Sequence, residues 1–154
     1  GFMVNYTPHL QKPRSDLDIQ TGKTASDILI KSALSIGPGI TIAKACELIE
    51  KNSVSGAPVV NEHGKLLGFL SQKDCLKYLL DIKYHNAEAG LVKDYMSKTL
   101  MTIHPHENLL YICELFLKNH FQAYPVVDEE GIFLGIVSRT RLFSELTKLD
   151  QTSW

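Results

Sequence analysis

Cysteine is scarce in this 154-residue chain: there are three, an odd number, and no Cys-x-x-Cys pair. That count argues against a disulfide framework and against a four-thiolate metal site. No apolar run approaches the ~18 residues that a membrane-spanning helix needs. The N-terminus, Gly1 to Asn5, lacks the basic region and apolar stretch of a secretory signal; Met3 is expected to be the native start. Neither sign of charge predominates, with 16 Lys and Arg against 17 Asp and Glu and a net charge of −1. There is thus no global electrostatic case for nucleic acid or a membrane surface as partner. There is no glycine-rich phosphate loop of the P-loop or dinucleotide-binding type. Nor is there a nucleophile, base and orienting group in a catalytic pattern. The expectation is a non-enzymatic, cytoplasmic, globular chain with the ordinary hydrophobic content of 44%.

What the chain does contain is a duplication. Asp27 and Asp94, Pro38 and Pro105, Pro58 and Pro125, Gly68 and Gly135, and Ser71 and Ser138 each differ by 67 positions. Ala57-Pro58-Val59-Val60-Asn61-Glu62-His63-Gly64 returns as Tyr124-Pro125-Val126-Val127-Asp128-Glu129-Glu130-Gly131, and Leu67-Gly68-Phe69-Leu70-Ser71 returns as Leu134-Gly135-Ile136-Val137-Ser138. The copies part at Asp74, which becomes Arg141. A repeat of this size implies two similar lobes with clefts between them. One unit of ~60 residues buries too little apolar area to be comfortable alone, so a pseudo-twofold pair sharing one core is expected.

The division along the chain reads as an N-terminal arm over 1–23, a first repeat over 24–82, a linker over 83–91, a second repeat over 92–149 and a tail over 150–154. The arm is polar, carries Pro8 and Pro13, and is expected to be irregular. In the first repeat, Ala33 to Ile36 is an extended piece ended by Gly37-Pro38-Gly39. Residues 41–52 are a helix, with Ile42, Ala45, Cys46 and Ile49 on one face, Thr41 as N-cap and Asn52 as stop. Ala57 to Val60 and Lys65 to Leu70 form a hairpin around Asn61 to Gly64, and Lys73 to Ile82 is a second helix. In the second repeat the strand falls at Leu100 to Ile103, the helix at Leu109 to Asn119, the hairpin at Tyr124 to Val137, and the last helix at Arg141 to Leu149. Cys46 and Cys113 are equivalent positions in the helices and read as small core residues in a reducing compartment.

This order of words, Asp-Ile-Leu, strand, Pro, amphipathic helix, x-Pro-Val-Val, Asn/Asp-Glu-x-Gly and Leu-Gly-h-h-Ser-x-x-Asp, resembles the cystathionine-β-synthase (CBS) domain. Two in tandem resemble a CBS pair, or Bateman module, over about residues 24–149. The fold the resemblance implies is α/β of the α+β type: two pseudo-symmetric repeats, each a small three-stranded sheet with two helices, packed sheet to sheet. The function it implies is a regulatory module that binds an adenosine-containing ligand (AMP, ADP or ATP) between the repeats, requires no cofactor, and signals through conformation or dimer packing. A homodimer and a separate regulated protein follow as partners.

Carried onto this sequence, the first site takes Ser71 for phosphate and Asp74 for the ribose hydroxyls, since a carboxylate has lone pairs to accept both. Ser55, Gly56, Ala57 and Pro58 flank the adenine, and Ser35 and Ile36 line the pocket. The second site is weaker: Ser138 remains, with Thr102 and Tyr124, but Arg141 stands where the acid belongs, and a guanidinium only donates. Arg139 and Arg141 are instead candidates to face a phosphate. Blander readings stand beside these. Asp74 could simply cap its helix, Arg141 could pair with Glu145 at i+4, and Tyr124 could be a core aromatic. His104-Pro105-His106 reads as a turn rather than a metal pair, by equivalence with Gly37-Pro38-Gly39. His120 and Gln122 lie where they could touch ligand or water, and Trp154 belongs to the tail. Two other functions remain open: an interaction module that dimerises without ligand, and an S-adenosylmethionine sensor that would not need the arginines.

Overall fold

Each amphipathic helix forms where an N-cap oxygen precedes an apolar stripe. The computed structural model describes residues 4–6, 22–31, 33–85 and 90–153. In chain order the elements are β1 (Val4–Tyr6), α1 (Ala25–Ile28), α2 (Ile42–Lys51), β2 (Gly56–Val60), β3 (Leu66–Ser71), α3 (Gln72–His85), α4 (Val92–Tyr95), β4 (Leu100–Thr102), α5 (Leu109–Lys118), β5 (Ala123–Val127), β6 (Phe133–Ser138) and α6 (Arg139–Ser153). Thr41 Oγ1 accepts from the Lys44 amide at 3.2 Å, and Asn108 Oδ1 accepts from the Tyr111 amide at 2.8 Å. These caps satisfy first-turn donors that have no partner within the helix. Asn52 ends α2 as expected, its side-chain amide donating to the Leu48 carbonyl at 2.7 Å. β1 lies in the arm that was expected to be irregular.

The two hairpins, β2–β3 and β5–β6, share one register and one irregularity, at Val59/Val60 and Val126/Val127. Their turns are built alike. Asn61 Oδ1 accepts from the His63 and Lys65 amides, Asp128 Oδ1 accepts from those of Glu130 and Ile132, and Gly64 and Gly131 both sit at φ 82°. Glycine adopts that conformation without a Cβ penalty. The third strand expected at 33–36 is reduced to one residue: Ile36 bridges Val59 in parallel, as Ile103 bridges Val126 after the short β4. The turns at Pro38 and Pro105 leave no further residues to pair.

The described residues fall into two compact units, which are not the two sequence repeats. Unit 1 takes Val4, Asn5 and those from 34 to 100; unit 2 takes Tyr6, those from 22 to 33 and those from 101 to 153. The opening segments are exchanged. Ile30 and Ile136 trade backbone bonds at 2.8 and 3.2 Å, and Ser97 and Phe69 trade theirs at 2.9 Å. The Ala25 amide donates to the Glu107 carbonyl at 2.9 Å, and the Val92 amide to that of Ile40 at 3.0 Å. Each of these bonds in one unit has its counterpart 67 residues away in the other.

The glycine in each Leu-Gly word is there because the exchanged segment passes over it. A Cβ on Gly68 would stand 2.7 Å from the Ser97 carbonyl oxygen, and one on Gly135 would stand 2.8 Å from that of Ile30. The single shared core that the repeat suggested is in fact two clusters, one per unit. Ile36, Ile42, Val59, Leu70 and Val92 belong to the first, and Ala25, Ile28, Ile103, Leu109, Ile112 and Val137 to the second. Val92 and Ala25–Ile28 come from the exchanged openings, which give each small hairpin the apolar cover it would otherwise lack.

Candidate ligand site

In unit 1 the residues expected to bind ligand form one continuous patch. The Ile36 amide donates to the Pro58 carbonyl at 3.0 Å, Gly56 pairs with Ser71 across the hairpin, and the Gln72 amide donates to the Ser55 carbonyl at 2.9 Å. This brings Ser35, Ile36, Ser55, Gly56, Ala57, Pro58, Ser71 and Asp74 to the end of the hairpin where α3 begins. Ser35 and Ser55 are exposed, Ile36 and Gly56 to Pro58 are buried, and Ser71 and Asp74 are half-buried. Gly56 is tightly held, since a Cβ there would stand 2.7 Å from the Leu70 carbonyl oxygen.

Ser71 and Asp74 form a reciprocal cap. Asp74 Oδ2 accepts from the Ser71 amide at 2.8 Å and from its hydroxyl at 3.0 Å, and the Asp74 amide donates to Ser71 Oγ at 3.1 Å. Ser-x-x-Asp before a helix is a capping pattern, so the structural reading of Asp74 holds. It does not exhaust the carboxylate: Oδ1 makes no hydrogen bond among the described residues and keeps its lone pairs.

Unit 2 builds the same backbone with different chemistry. The Arg139 amide donates to the Gln122 carbonyl at 3.0 Å, and the Arg141 amide to Ser138 Oγ at 3.0 Å. Among the described residues no carboxylate returns the bond to Ser138. The Arg141 guanidinium lies 3.7 Å from Glu145, the i+4 pairing expected, and Arg139 is exposed. Tyr124 is a core residue: it is 1% exposed, its ring packs on Phe116 and Phe121 at 4.7 and 5.6 Å, and its hydroxyl donates to the Leu115 carbonyl at 2.9 Å. Burial pushes that hydroxyl's pKa up. Thr102 is also buried, and its Oγ1 has no partner among the described residues. An orphaned buried hydroxyl costs stability until something satisfies it.

Sequence reading missed a charged cluster in unit 2. Glu145, 6% exposed, accepts from Lys23 Nζ at 2.8 Å and has Arg141 and Lys148 at 3.7 and 3.8 Å. The Lys23 hydrogen bond, with the surrounding positive charge, holds its carboxyl below the usual range although burial pushes the other way. The Arg141 partner was read from its spacing and Lys148, three residues from Glu145, could have been, whereas Lys23 lies in the exchanged opening. His104 and His106 form a turn, with the Glu107 amide on the His104 carbonyl at 3.1 Å. They line a cavity of about 300 Å³ with Asp128, Glu129 and Glu130. No group of three or more such ligands among the described residues is arranged for a metal ion. His120 and Gln122 are exposed, and Trp154 lies outside the described residues.

Along α3, Leu76, Leu79, Leu80 and Tyr84 are 64, 51, 53 and 69% exposed. Their spacing puts them on one helical face. Among the described residues no helix is long and apolar enough to cross a membrane.

Two repeats with this hairpin and this exchange, the first opening its last helix with Ser-x-x-acid, define a CBS-domain pair. The CBS domain family model matches residues 25–81 and 92–148, and the chain belongs to that family. Among solved structures, CBSX2 of Arabidopsis thaliana, in complex with AMP, superposes with TM-score 0.73 at 24% identity over 84% of this chain and 99% of that one. The CBS domain pair of protein MJ0100, in complex with 5′-methylthioadenosine and S-adenosyl-L-methionine, superposes with TM-score 0.68 at 26% identity over 83% and 98%. The inosine-5′-monophosphate dehydrogenase of Methanocaldococcus jannaschii is 28% identical over 78% of this chain. The L-aspartate semialdehyde sulfurtransferase of the same organism is 29% identical over 76%. This chain spans only 23% and 22% of the length of those two enzymes.

Proposed function

We propose that the chain is a non-catalytic regulatory module whose first unit binds an adenosine-containing ligand of the AMP, ADP or ATP class. The observation that carries this reading is Asp74, half-buried at the start of α3 with Oδ1 unspent by the cap. A carboxylate oxygen in that state can accept from vicinal ribose hydroxyls. Ser71, at the N-terminus of the same helix, suits a phosphate or other anionic group. The buried backbone of Gly56 to Pro58 offers an apolar edge to the base. Arg139 and Arg141 are assigned to phosphate charge, and the orphaned Thr102 hydroxyl supports a second, weaker site with Ser138 in unit 2.

A second reading is an S-adenosylmethionine-type sensor. It is favoured by the likeness to the MJ0100 pair, whose structure holds two adenosyl compounds without phosphate. The exposed apolar face of α3 supports dimerisation with a second copy as the means of signalling to a separate partner protein. A dimer formed without any ligand use is the reading to be excluded.

The test is a thermal-shift panel with AMP, ADP, ATP, NADH, S-adenosylmethionine and a GTP control, on wild type and Asp74→Ala. Because Asp74 also closes the cap, the quantity compared is the ligand-induced shift. A ligand at ~100 times its Kd stabilises by about 2.7 kcal/mol, or roughly 2–4 °C for a chain of this size. A selective shift in wild type that vanishes in Asp74→Ala is expected. No shift with any adenosyl ligand, confirmed by calorimetry, would leave the ligand-independent module. A shift with S-adenosylmethionine alone that survives Arg139→Ala would select the second reading.

A further inference from the structure

Unit 2 departs from unit 1 in three polar groups, and the strand register puts two of them on one face of its sheet. Ser138 pairs with Ala123 across the β5–β6 hairpin, and Ile103 bridges Val126 in parallel. Val126 belongs to the core with Ile103, Tyr124 and Val137. Side chains alternate along a strand, so Ser138, Ala123 and Thr102, the neighbour of Ile103, share the opposite face. There Thr102 is 1% exposed and its hydroxyl has no partner among the described residues. A buried hydroxyl in that state is satisfied by a ligand or by ordered water. Ser35, its counterpart in unit 1, is exposed.

The start of α6 supplies the rest. In unit 1 the Ser71 hydroxyl is spent on Asp74 Oδ2 at 3.0 Å. Ser138 Oγ accepts from the Arg141 amide at 3.0 Å, and its own proton meets no acceptor among the described residues. Arg141 holds the backbone place of Asp74, since each amide donates to the serine three residues before it, at 3.0 and 3.1 Å. The Arg141 side chain is 44% exposed and lies 3.7 Å from Glu145. Glu145 also has Lys23 at 2.8 Å and Lys148 at 3.8 Å. Arg141 can therefore turn to an anion without leaving that buried carboxylate uncompensated.

Resting on the reading of the chain as an adenosine-binding module, we propose that unit 2 takes an adenosine compound phosphorylated on its ribose, at the 2′- or 3′-oxygen. Arg141 and Ser138 donate to that phosphate, and the Thr102 hydroxyl bonds the nucleoside. The chemistry exchanges an acceptor for a donor. A carboxylate at this place accepts from free ribose hydroxyls and repels a phosphate. A guanidinium only donates, and its planar fork fits a phosphate with two hydrogen bonds. Dinucleotide-binding sites make the same exchange, with an acid for the 2′-hydroxyl and an arginine for the 2′-phosphate. The first-turn amides of α6 and the exposed Arg139 add to the positive field. The one residue at which the repeats diverge thus sorts two forms of ligand, the free ribose to unit 1 and the ribose phosphate to unit 2. Thr102 is enclosed, so binding opens its cover, and the hydrogen bond gained offsets that cost.

The test is calorimetry on the intact chain with adenosine 2′-monophosphate, adenosine 3′-monophosphate, 5′-AMP and inorganic phosphate. Wild type should bind one of the two ribose phosphates. That affinity should survive Asp74→Ala and fall roughly tenfold or more in Arg141→Ala. Arg141→Asp should reverse the preference and add a second equivalent of 5′-AMP. Thr102→Val removes an unsatisfied hydroxyl at nearly constant shape, so it should weaken binding severalfold while the free protein melts no lower; a lower melting temperature would overturn the role of Thr102. No binding of either ribose phosphate overturns the proposal, as does binding that Arg141→Ala leaves intact. Equal, Arg141-dependent binding of inorganic phosphate would reduce unit 2 to an anion site and overturn it too. If 5′-AMP does not bind wild type while a ribose phosphate binds through Arg141, the assignment of Asp74 fails and that of Arg141 stands. If 5′-AMP binds through Asp74 and neither ribose phosphate binds, the reverse holds.

Discussion

Helix α3 begins with Ser71 and Asp74, each answering the other's backbone amide; helix α6 begins with Ser138 and Arg141, where only Ser138 answers. One turn on, the equivalent positions Tyr78 and Glu145 are equally buried, at 4 and 6% exposure. Tyr78 fills its place with a ring set edge-on to Tyr95 at 5.5 Å. Glu145 fills its own with a carboxylate neutralised by Lys23, Arg141 and Lys148. The bonds that recur at the 67-residue offset are main-chain bonds, or the short caps and turns that serve the main chain. Duplication has kept what the backbone must satisfy and released the side chains wherever another solution satisfied the same burial. Unit 1 kept an acid with a spare oxygen; unit 2 became cationic at the same place.

The largest break in this comparison should come at the glycines under the exchanged segments. Gly135→Ala places a Cβ 2.6 Å from Leu29 Cδ1 and 2.8 Å from a carbonyl oxygen, at φ 156°. It should cost about 3–4 kcal/mol in denaturant melts. Gly68→Ala meets the movable Met96 side chain at 2.7 Å as well as the Ser97 carbonyl, without a positive φ, and should cost about 2–3 kcal/mol. Equal, small effects at both positions would show that the exchanged segments are not held as described.

Next in size is the ion cluster of unit 2. Glu145→Gln keeps the volume and loses the charged hydrogen bonds, at about 1.5–3 kcal/mol near neutral pH. The folded carboxyl is held below its ordinary range, chiefly by the Lys23 hydrogen bond. The stability it contributes is thus present above the unfolded carboxylate pKa and is lost as pH falls through the folded one. Wild type and Glu145→Gln should converge in acid, and a gap that persists there would mean that the glutamate acts through packing.

The smallest contrast lies in the caps. Ser71→Ala breaks two hydrogen bonds of a closed cap and should cost about 1 kcal/mol; Ser138→Ala breaks one and should cost about 0.5 kcal/mol. Paired urea titrations resolve the order, and the reverse order would argue against the closed cap in unit 1.

The repeat, both hairpins, the helix faces and the N-cap at Thr41 were all legible in the sequence, because each depends on residues within about ten positions of one another. Ser71-x-x-Asp74 was legible as a cap, and the cap leaves one carboxylate oxygen over for the ribose role proposed for it. The third strand was overread at Ala33 to Ile36, where the turn follows after Ile36 alone has paired. Lys23 beside Glu145 left no pattern of spacing, because the two come from different elements of the fold.

The sequence by itself determined the family, the two copies, the turn chemistry and the point where the copies diverge, since period, glycine placement and capping are local properties of the chain. Only the tertiary structure decided that the opening segment of each repeat belongs to the other repeat's unit, and that the core is two clusters rather than one. It also decided which charges meet. Those outcomes depend on which backbone groups find partners and which apolar faces find cover across long stretches of chain. Such choices are made by the packed molecule as a whole, not by neighbouring residues.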